Sequence, residues 1–378
     1  MEKSVIENQY EKWIDGLKGI ACIIVMLGHS VACIFPTVYF GLSYQSHSLV
    51  EEIIYTTPIR LVFNASMMVV VFFMISGYLF EKGNKKFSFV EFVVYKYISY
   101  LPMIIIGVGL PAFVMKARAV NSIRLAPYSH AANYVQNYND FTPSILGKNS
   151  LIKEIFLNVY FKDSIYNNVL WYISVLFIGE IFLKLISDNA KEKRKMIFAG
   201  LVFIMWIVGG KYWKLQYLAA MFIGSIIGCT NMKIGKKCAL CSIISGMTLL
   251  VIESLLHRHV YIPNSTVPLW CMGVWFIFIG IKNLDEAKKV LENKLLCKIG
   301  KISFGIYIVQ WPVIISISCG VCLWIYKKYN SYMPAGIIGI ISGSIIVISL
   351  AHVIHKYVYR RWIKEIVHNK VMPIITSR

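Results

Sequence analysis

Apolar runs alternate with short charged segments along the whole chain. A membrane-spanning helix needs about 20 predominantly apolar residues, and reading the runs against their charged borders predicts ten helices. They fall at approximately 16–35, 61–80, 98–115, 169–186, 196–210, 215–231, 238–256, 267–282, 302–326 and 334–356. The fifth and sixth are short, but Gly209-Gly210 with Lys211 and Lys214 predicts a turn between two helices rather than one kinked element. The predicted fold class is all-α: a polytopic membrane protein of about ten transmembrane helices. It forms a single integral-membrane domain over residues 1–378, with one long loop at 117–168.

Composition excludes the other classes. Apolar residues make up 57% of the 378 and charged residues only 15%, against about 25% charged in an average soluble domain. With a mean hydropathy of +0.62, the chain has too little charge to cover itself with a polar surface. Aromatic residues at 14% are the opposite of a disordered composition. The net charge of +20 raises nucleic acid as a partner, but the 39 Lys and Arg lie in short clusters that flank the apolar runs. No nucleic-acid partner is therefore predicted. With the N-terminus in the cytoplasm, more than two thirds of those 39 fall on the cytoplasmic side. Both termini are thus expected in the cytoplasm, in a multi-pass plasma-membrane protein with 117–168 outside.

Other features change the picture little. The polar stretch before the first run, with its Lys and Glu, does not read as a cleavable signal. Cys22, Cys229, Cys271, Cys319 and Cys322 sit in apolar runs, where Cys behaves as a small hydrophobe. Cys238 and Cys241 form a CxxC pair without a second pair or a nearby His, so no metal site is predicted. No internal repeat supports a transporter built from inverted repeats. The long loop is rich in Tyr and Asn (Tyr128, Asn133, Tyr134, Asn137, Tyr138, Asn139). That suits either a polar loop at the headgroups or a carbohydrate-facing surface.

Ionisable groups at membrane depth are functional candidates. Lys18 sits at the cytoplasmic end of the first helix and His29 lies eleven residues further on. That is about 16 Å of helix and close to three whole turns, so the two share one face, with His29 near mid-membrane. Glu180 lies nine residues past Trp171, about 13 Å into its helix. A Glu there is expected to be protonated or paired, with His29 as the candidate partner. Gln310 reaches a similar depth and reads as interhelical glue, as does Asn64.

These residues lie in a recognisable pattern. Trp13-Ile14-Asp15-Gly16-Leu17-Lys18-Gly19-Ile20-Ala21, reaching His29, resembles the first helix of the integral-membrane acyltransferase-3 family, which usually reads D-G-L-R-G-I-A. Phe72-Phe73-Met74-Ile75-Ser76-Gly77-Tyr78-Leu79 is similar to the family's F-F-x-x-S-G-F/Y-L. Lys96 and Pro102 match part of a basic stretch before a proline, and Leu170-Trp171-Tyr172-Ile173-Ser174-Val175 resembles L-W-x-L-S-V. Gly300-Lys301-Ile302-Ser303-Phe304-Gly305-Ile306-Tyr307-Ile308-Val309-Gln310-Trp311-Pro312 is close to G-x-I-S-Y-S-x-Y-L-x-H-W-P. Lys18 replaces the usual Arg, Gln310 replaces a His, Ser99 stands where a second Arg is often found, and Leu176-Phe177 replaces an acidic pair. Glu180 matches no position of the pattern. The resemblance is to the stand-alone form of the family, without an appended esterase-like domain.

The resemblance implies transfer of an acyl group, usually acetyl and sometimes succinyl. The donor would be a cytoplasmic acyl-CoA acting as co-substrate, acetyl-CoA first, with no bound cofactor. The acceptor would be a hydroxyl of a cell-surface or exported glycan or glycolipid. Lys18 and Lys96 suit the anionic nucleotide tail. His29 suits the general base, with Glu180 tuning it. Asp15, Ser76, Trp171 and Gln310 would support the site. Direct transfer and an acyl-His intermediate stay open. The rival reading is a proton-coupled glycan or lipid transporter or flippase using His29 and Glu180 as a relay.

Overall fold

A computed structural model describes residues 11–83, 87–131, 148–190, 192–230, 232–256, 266–371 and 373. The long helices are α1 (Lys12–Ile34), α2 (Ala65–Gly83), α3 (Phe89–Lys116), α4 (Trp171–Asn189) and α5 (Arg194–Val208). They continue with α6 (Trp213–Cys229), α7 (Lys236–Leu256), α8 (Thr266–Asn283), α9 (Ser303–Tyr329) and α10 (Tyr332–Ile354). No strand occurs among the described residues. The protein is an all-α polytopic membrane protein, and among the described residues eight helices are long and apolar enough to cross a bilayer. The other two, α5 and α6, have 15 and 17 residues and pack on each other across the turn at 209–212.

Three boundaries depart from the sequence expectation. The second span starts at Ala65 rather than 61, because Pro58–Phe63 winds into a separate 3₁₀ turn. The third begins at Phe89, nine residues before the apolar run that marks it, with Ser88 and Glu91 exchanging hydrogen bonds across its first turn. The 117–168 segment is not simply a loop, since it holds a helix at Asn121–Ser129 and a helical stretch from Lys148 to Phe161. Asn133, Tyr134, Asn137, Tyr138 and Asn139 lie outside the described residues.

The chain divides into two compact units. The first comprises residues 1–21, 66–94 and 176–301. In it α2 and α6 cross backbone to backbone: a Cβ on Gly77 would overlap the Met221 carbonyl, and one on Gly224 the Met74 carbonyl. Ser225, one residue on, donates to Glu81 at 2.7 Å, and Arg194 reaches the other Glu81 oxygen at 3.3 Å.

The second unit comprises residues 22–65, 95–175 and 302–378. Its core gathers Val31, Ile34 and Phe35 of the α1 end with Trp311, Ile315, Cys319 and Tyr332. Three prolines interrupt its spanning helices: Pro102 and Pro111 in α3, and Pro312 in α9. Each lacks an N–H, so the carbonyl four residues earlier loses its helical donor. Those carbonyls belong to Ile98, Gly107 and Ile308. The Trp362 indole donates to the Ile98 carbonyl at 3.0 Å. One side chain serves the other two: the Asn167 amide donates to Gly107 at 2.9 Å and to Ile308 at 3.4 Å. In a medium that offers no water, side chains take over the bonds that proline removes.

Candidate active site

The α1 helix carries both residues singled out first, and it runs unbroken past them. Lys18 belongs to the first unit and His29 to the second. Lys18 is engaged: its ammonium pairs with Asp15 at 2.7 Å, one turn back along the helix. Asp15 is buried, and its other carboxylate oxygen has no hydrogen-bond partner among the described residues. Lys18 thus neutralises a buried carboxylate while keeping about a quarter of its own side chain exposed, 24%. The two glycines of the Asp15–Ala21 motif have a packing reason that the pattern alone does not disclose. A Cβ on Gly16 would overlap the Leu291 carbonyl and one on Gly19 the Leu296 carbonyl, and from the other side a Cβ on Gly300 would overlap the Asp15 carbonyl. The α1 start therefore sits directly on the helical hairpin Asp285–Leu291 and Lys294–Lys301.

The second motif run, ending in Ser76-Gly77-Tyr78, is also explained within the first unit. Ser76 donates to the Phe72 carbonyl of its own helix at 2.8 Å. The Tyr78 hydroxyl donates to Glu11 at 2.7 Å, and the Trp13 indole donates to the other Glu11 oxygen at 2.8 Å. Lys82 and Lys282 lie over the Tyr78 ring at 5.5 and 5.7 Å. Two lysines, a tyrosine and a tryptophan therefore cluster where the motif-bearing ends of α1 and α2 meet α8. Glu180 is buried in the same unit, on the α4 face that continues through Lys184 and Asp188, which pair at 2.9 Å.

The second unit surrounds His29. Its ring is half-buried and meets the Trp311 indole edge-on, with centroids 5.9 Å apart. Gly28 beside it presses on the Phe63–Ala65 backbone, which holds the α1 face in place. Tyr307, one turn before Trp311 on α9, donates its hydroxyl to the Val169 carbonyl and meets Tyr172 edge-on at 5.3 Å. Trp171 opens α4 half-buried, its carbonyl accepting from Ser174 at 2.8 Å. Asn167, which precedes this opening, ties it to α3 and α9 through the two carbonyls described above. Lys96 lies 5.8 Å from the Tyr100 ring centre.

Gln310 departs from its expected role. The reading as interhelical glue requires amide hydrogen bonds, and neither amide atom has a partner among the described residues although the side chain is fully buried. Sequence reasoning also missed Asn167, since a polar residue at the start of a helix reads as an ordinary cap. A cluster outside the spans was missed as well. His47 faces Glu51 at 3.2 Å and the Tyr128 carbonyl at 2.7 Å with its two ring nitrogens. It stacks on Tyr332 at 3.8 Å and on His130 at 5.0 Å. Burial and the neighbouring His47 hold the His130 imidazole below its ordinary value, with Glu51 opposing. Nothing in the spacing of residues 47, 51 and 130 announces this grouping.

What the second unit brings together is a titratable ring, His29, and the Trp311 indole beside it, a pair suited to proton transfer on a bound group. Compared with known proteins, residues 11–354 match the family model described as "Acyltransferase domain". No curated protein and no solved structure matches the chain.

Proposed function

Since this chain belongs to the acyltransferase-3 family and is a membrane-embedded acyltransferase, we propose that it moves an acyl group, acetyl first and succinyl second, from a cytoplasmic acyl-CoA to a hydroxyl of a cell-surface or exported glycan or glycolipid. The observation that carries this reading is the half-buried His29 ring against Trp311, on the same helix as Lys18 and about 16 Å from it. A cation near the helix start suits an anionic CoA tail, and an imidazole deeper in suits deprotonation of the acceptor hydroxyl. Purified protein in detergent should release free thiol from acetyl-CoA, and cells lacking it should lose O-acyl groups from their surface glycans. A proton-coupled transporter would leave acetyl-CoA intact.

The donor half of the reading has its own test. Lys18→Ala should weaken acyl-CoA binding, but it also strands the buried Asp15 carboxylate, which is destabilising in its own right. The double variant Asp15→Asn, Lys18→Met removes both charges together. If Lys18 binds phosphate, the double variant still shows a raised KM for acyl-CoA. Recovery of the wild-type KM would assign Lys18 to Asp15 alone and leave Lys96 as the donor-binding cation. Lys18→Arg should preserve both roles, because it keeps the charge and adds a second parallel donor.

Orientation follows from the charge distribution. We place both termini and the Asp285–Lys301 hairpin in the cytoplasm and the 117–168 segment outside, in the plasma membrane. Single cysteines at Leu295 and at Tyr128, both exposed, should label from opposite sides of sealed membranes. Labelling of both from one side would remove this topology and the cytoplasmic donor with it.

A further inference from the structure

We propose that Gln310 is the oxyanion donor of the acyl-transfer step: its Nε2–H binds the carbonyl oxygen of the acyl group as negative charge develops there. The inference rests on the acyl-transfer reading and adds a group in direct contact with the reacting atoms.

Three observations carry it. First, Gln310 is 0% exposed, and neither its donor nor its acceptor atom has a hydrogen-bond partner among the described residues. A buried primary amide left in this state is unfavourable, and proteins retain such groups where a ligand supplies the missing partner. Second, Gln310 immediately precedes Trp311, the residue that meets His29. Tyr307 and Trp311 form one ridge of α9, and Gln310 flanks that ridge one turn above Tyr307. The ridge is what meets His29, through the Trp311 edge contact at 5.9 Å. Third, the neighbouring amide is not available for this purpose. Asn167 already donates to two backbone carbonyls, Gly107 and Ile308, so its N–H groups hold the helices rather than a substrate.

The acceptor hydroxyl passes its proton to His29 as its oxygen attacks the thioester carbon, forming the new C–O bond. The carbonyl π electrons move onto oxygen, and the resulting oxyanion is held by the Gln310 N–H. Collapse of this intermediate re-forms the carbonyl and breaks the C–S bond. The departing CoA sulfur takes the proton from the imidazolium, which restores His29. A donor fixed before the reaction stabilises the charge without reorganising, and removal of one such donor typically lowers kcat about 10²–10³-fold.

Gln310→Met separates this role from a structural one. It fills a similar volume with no hydrogen-bonding group, so loss of an unpartnered amide should leave thermal stability unchanged or raise it. In an acetyl-CoA thiol-release assay, kcat should fall about 10²–10³-fold with little change in the KM for acetyl-CoA. Gln310→Glu, which replaces the donor by an acceptor, should fall at least as far, and Gln310→His, which keeps a ring N–H, should retain more activity than either. A loss of less than about 10-fold in Gln310→Met would overturn the inference. Failure of that variant to fold would overturn it too, by showing that the amide has a structural partner. The underlying reading is judged separately. Wild-type protein that releases no thiol from acetyl-CoA or succinyl-CoA removes it, and Gln310 as oxyanion donor with it. Wild-type turnover that His29→Gln abolishes and Gln310→Met leaves intact removes only the role given to Gln310.

Discussion

His29→Gln should abolish acyl transfer while leaving the protein folded and inserted. The glutamine keeps hydrogen-bonding capacity but accepts no proton at neutral pH. General base catalysis contributes about 10²–10⁴-fold, so a loss of that size is expected in kcat, with the KM for acyl-CoA little changed. The ring packs against Trp311 only by its edge, and its accessible surface means that a side chain of similar size is accommodated. Stability should therefore stay close to wild type. A His29→Gln variant that acylates glycans at near-normal rates would end the assignment of this residue as the base. Glu180→Gln is the companion experiment: a smaller defect with a displaced pH optimum is the result expected if that carboxylate tunes the imidazole. An unchanged pH profile would leave Glu180 to its own unit, on the face it shares with Lys184 and Asp188.

The largest stability effect is expected at Asn167. Its side chain is fully buried, and its two N–H groups answer carbonyls that Pro111 and Pro312 leave without donors. Asn167→Ala leaves both carbonyls unsatisfied, at about 1–3 kcal/mol each. Asn167→Asp is worse, because it sets an oxygen against each carbonyl. Thermal unfolding in detergent should therefore drop sharply for both variants, Asp further than Ala. The mechanism makes a second, more specific demand. Pro111→Ala returns an N–H to α3 at the position that bonds Gly107, so Asn167→Ala should be less damaging in that background than in the wild type. Strict additivity of the two substitutions would show that Asn167 acts by some route other than the proline-freed carbonyl. Because Asn167 ties α3 and α9 at the level of the α4 opening, the milder variants should also lower kcat by moving Trp311 relative to its neighbours.

Much of this molecule is legible in one dimension. Ten apolar runs with charged borders mark ten helices, eight of which, among the described residues, are long and apolar enough to cross a bilayer, where every backbone polar group must be satisfied inside its own segment. The Gly209-Gly210 turn follows from residues that cannot continue a helix comfortably, and α5 and α6 do separate there. The Lys18–His29 spacing is equally a property of a single helix, and α1 runs unbroken through both. The motifs that mark the family lie in order along the chain, and the match over residues 11–354 agrees with them.

Contacts between distant segments are a different matter, since helical periodicity says which face a residue is on and not what that face meets. Gly16 and Gly300 are required by a backbone approach between segments more than 270 residues apart in sequence. Asn167 looks like a helix-start residue until two prolines, each far from it in the chain, are seen to leave carbonyls within its reach. Gln310 looks like glue until its amide is found without a partner among the described residues. The local sequence determines helices, their faces and the depth of each polar group, because those depend on rise and periodicity alone. Only the tertiary structure decides which buried polar groups are answered by another segment and which are left open for a ligand, because that depends on where the folded chain brings its donors and acceptors together.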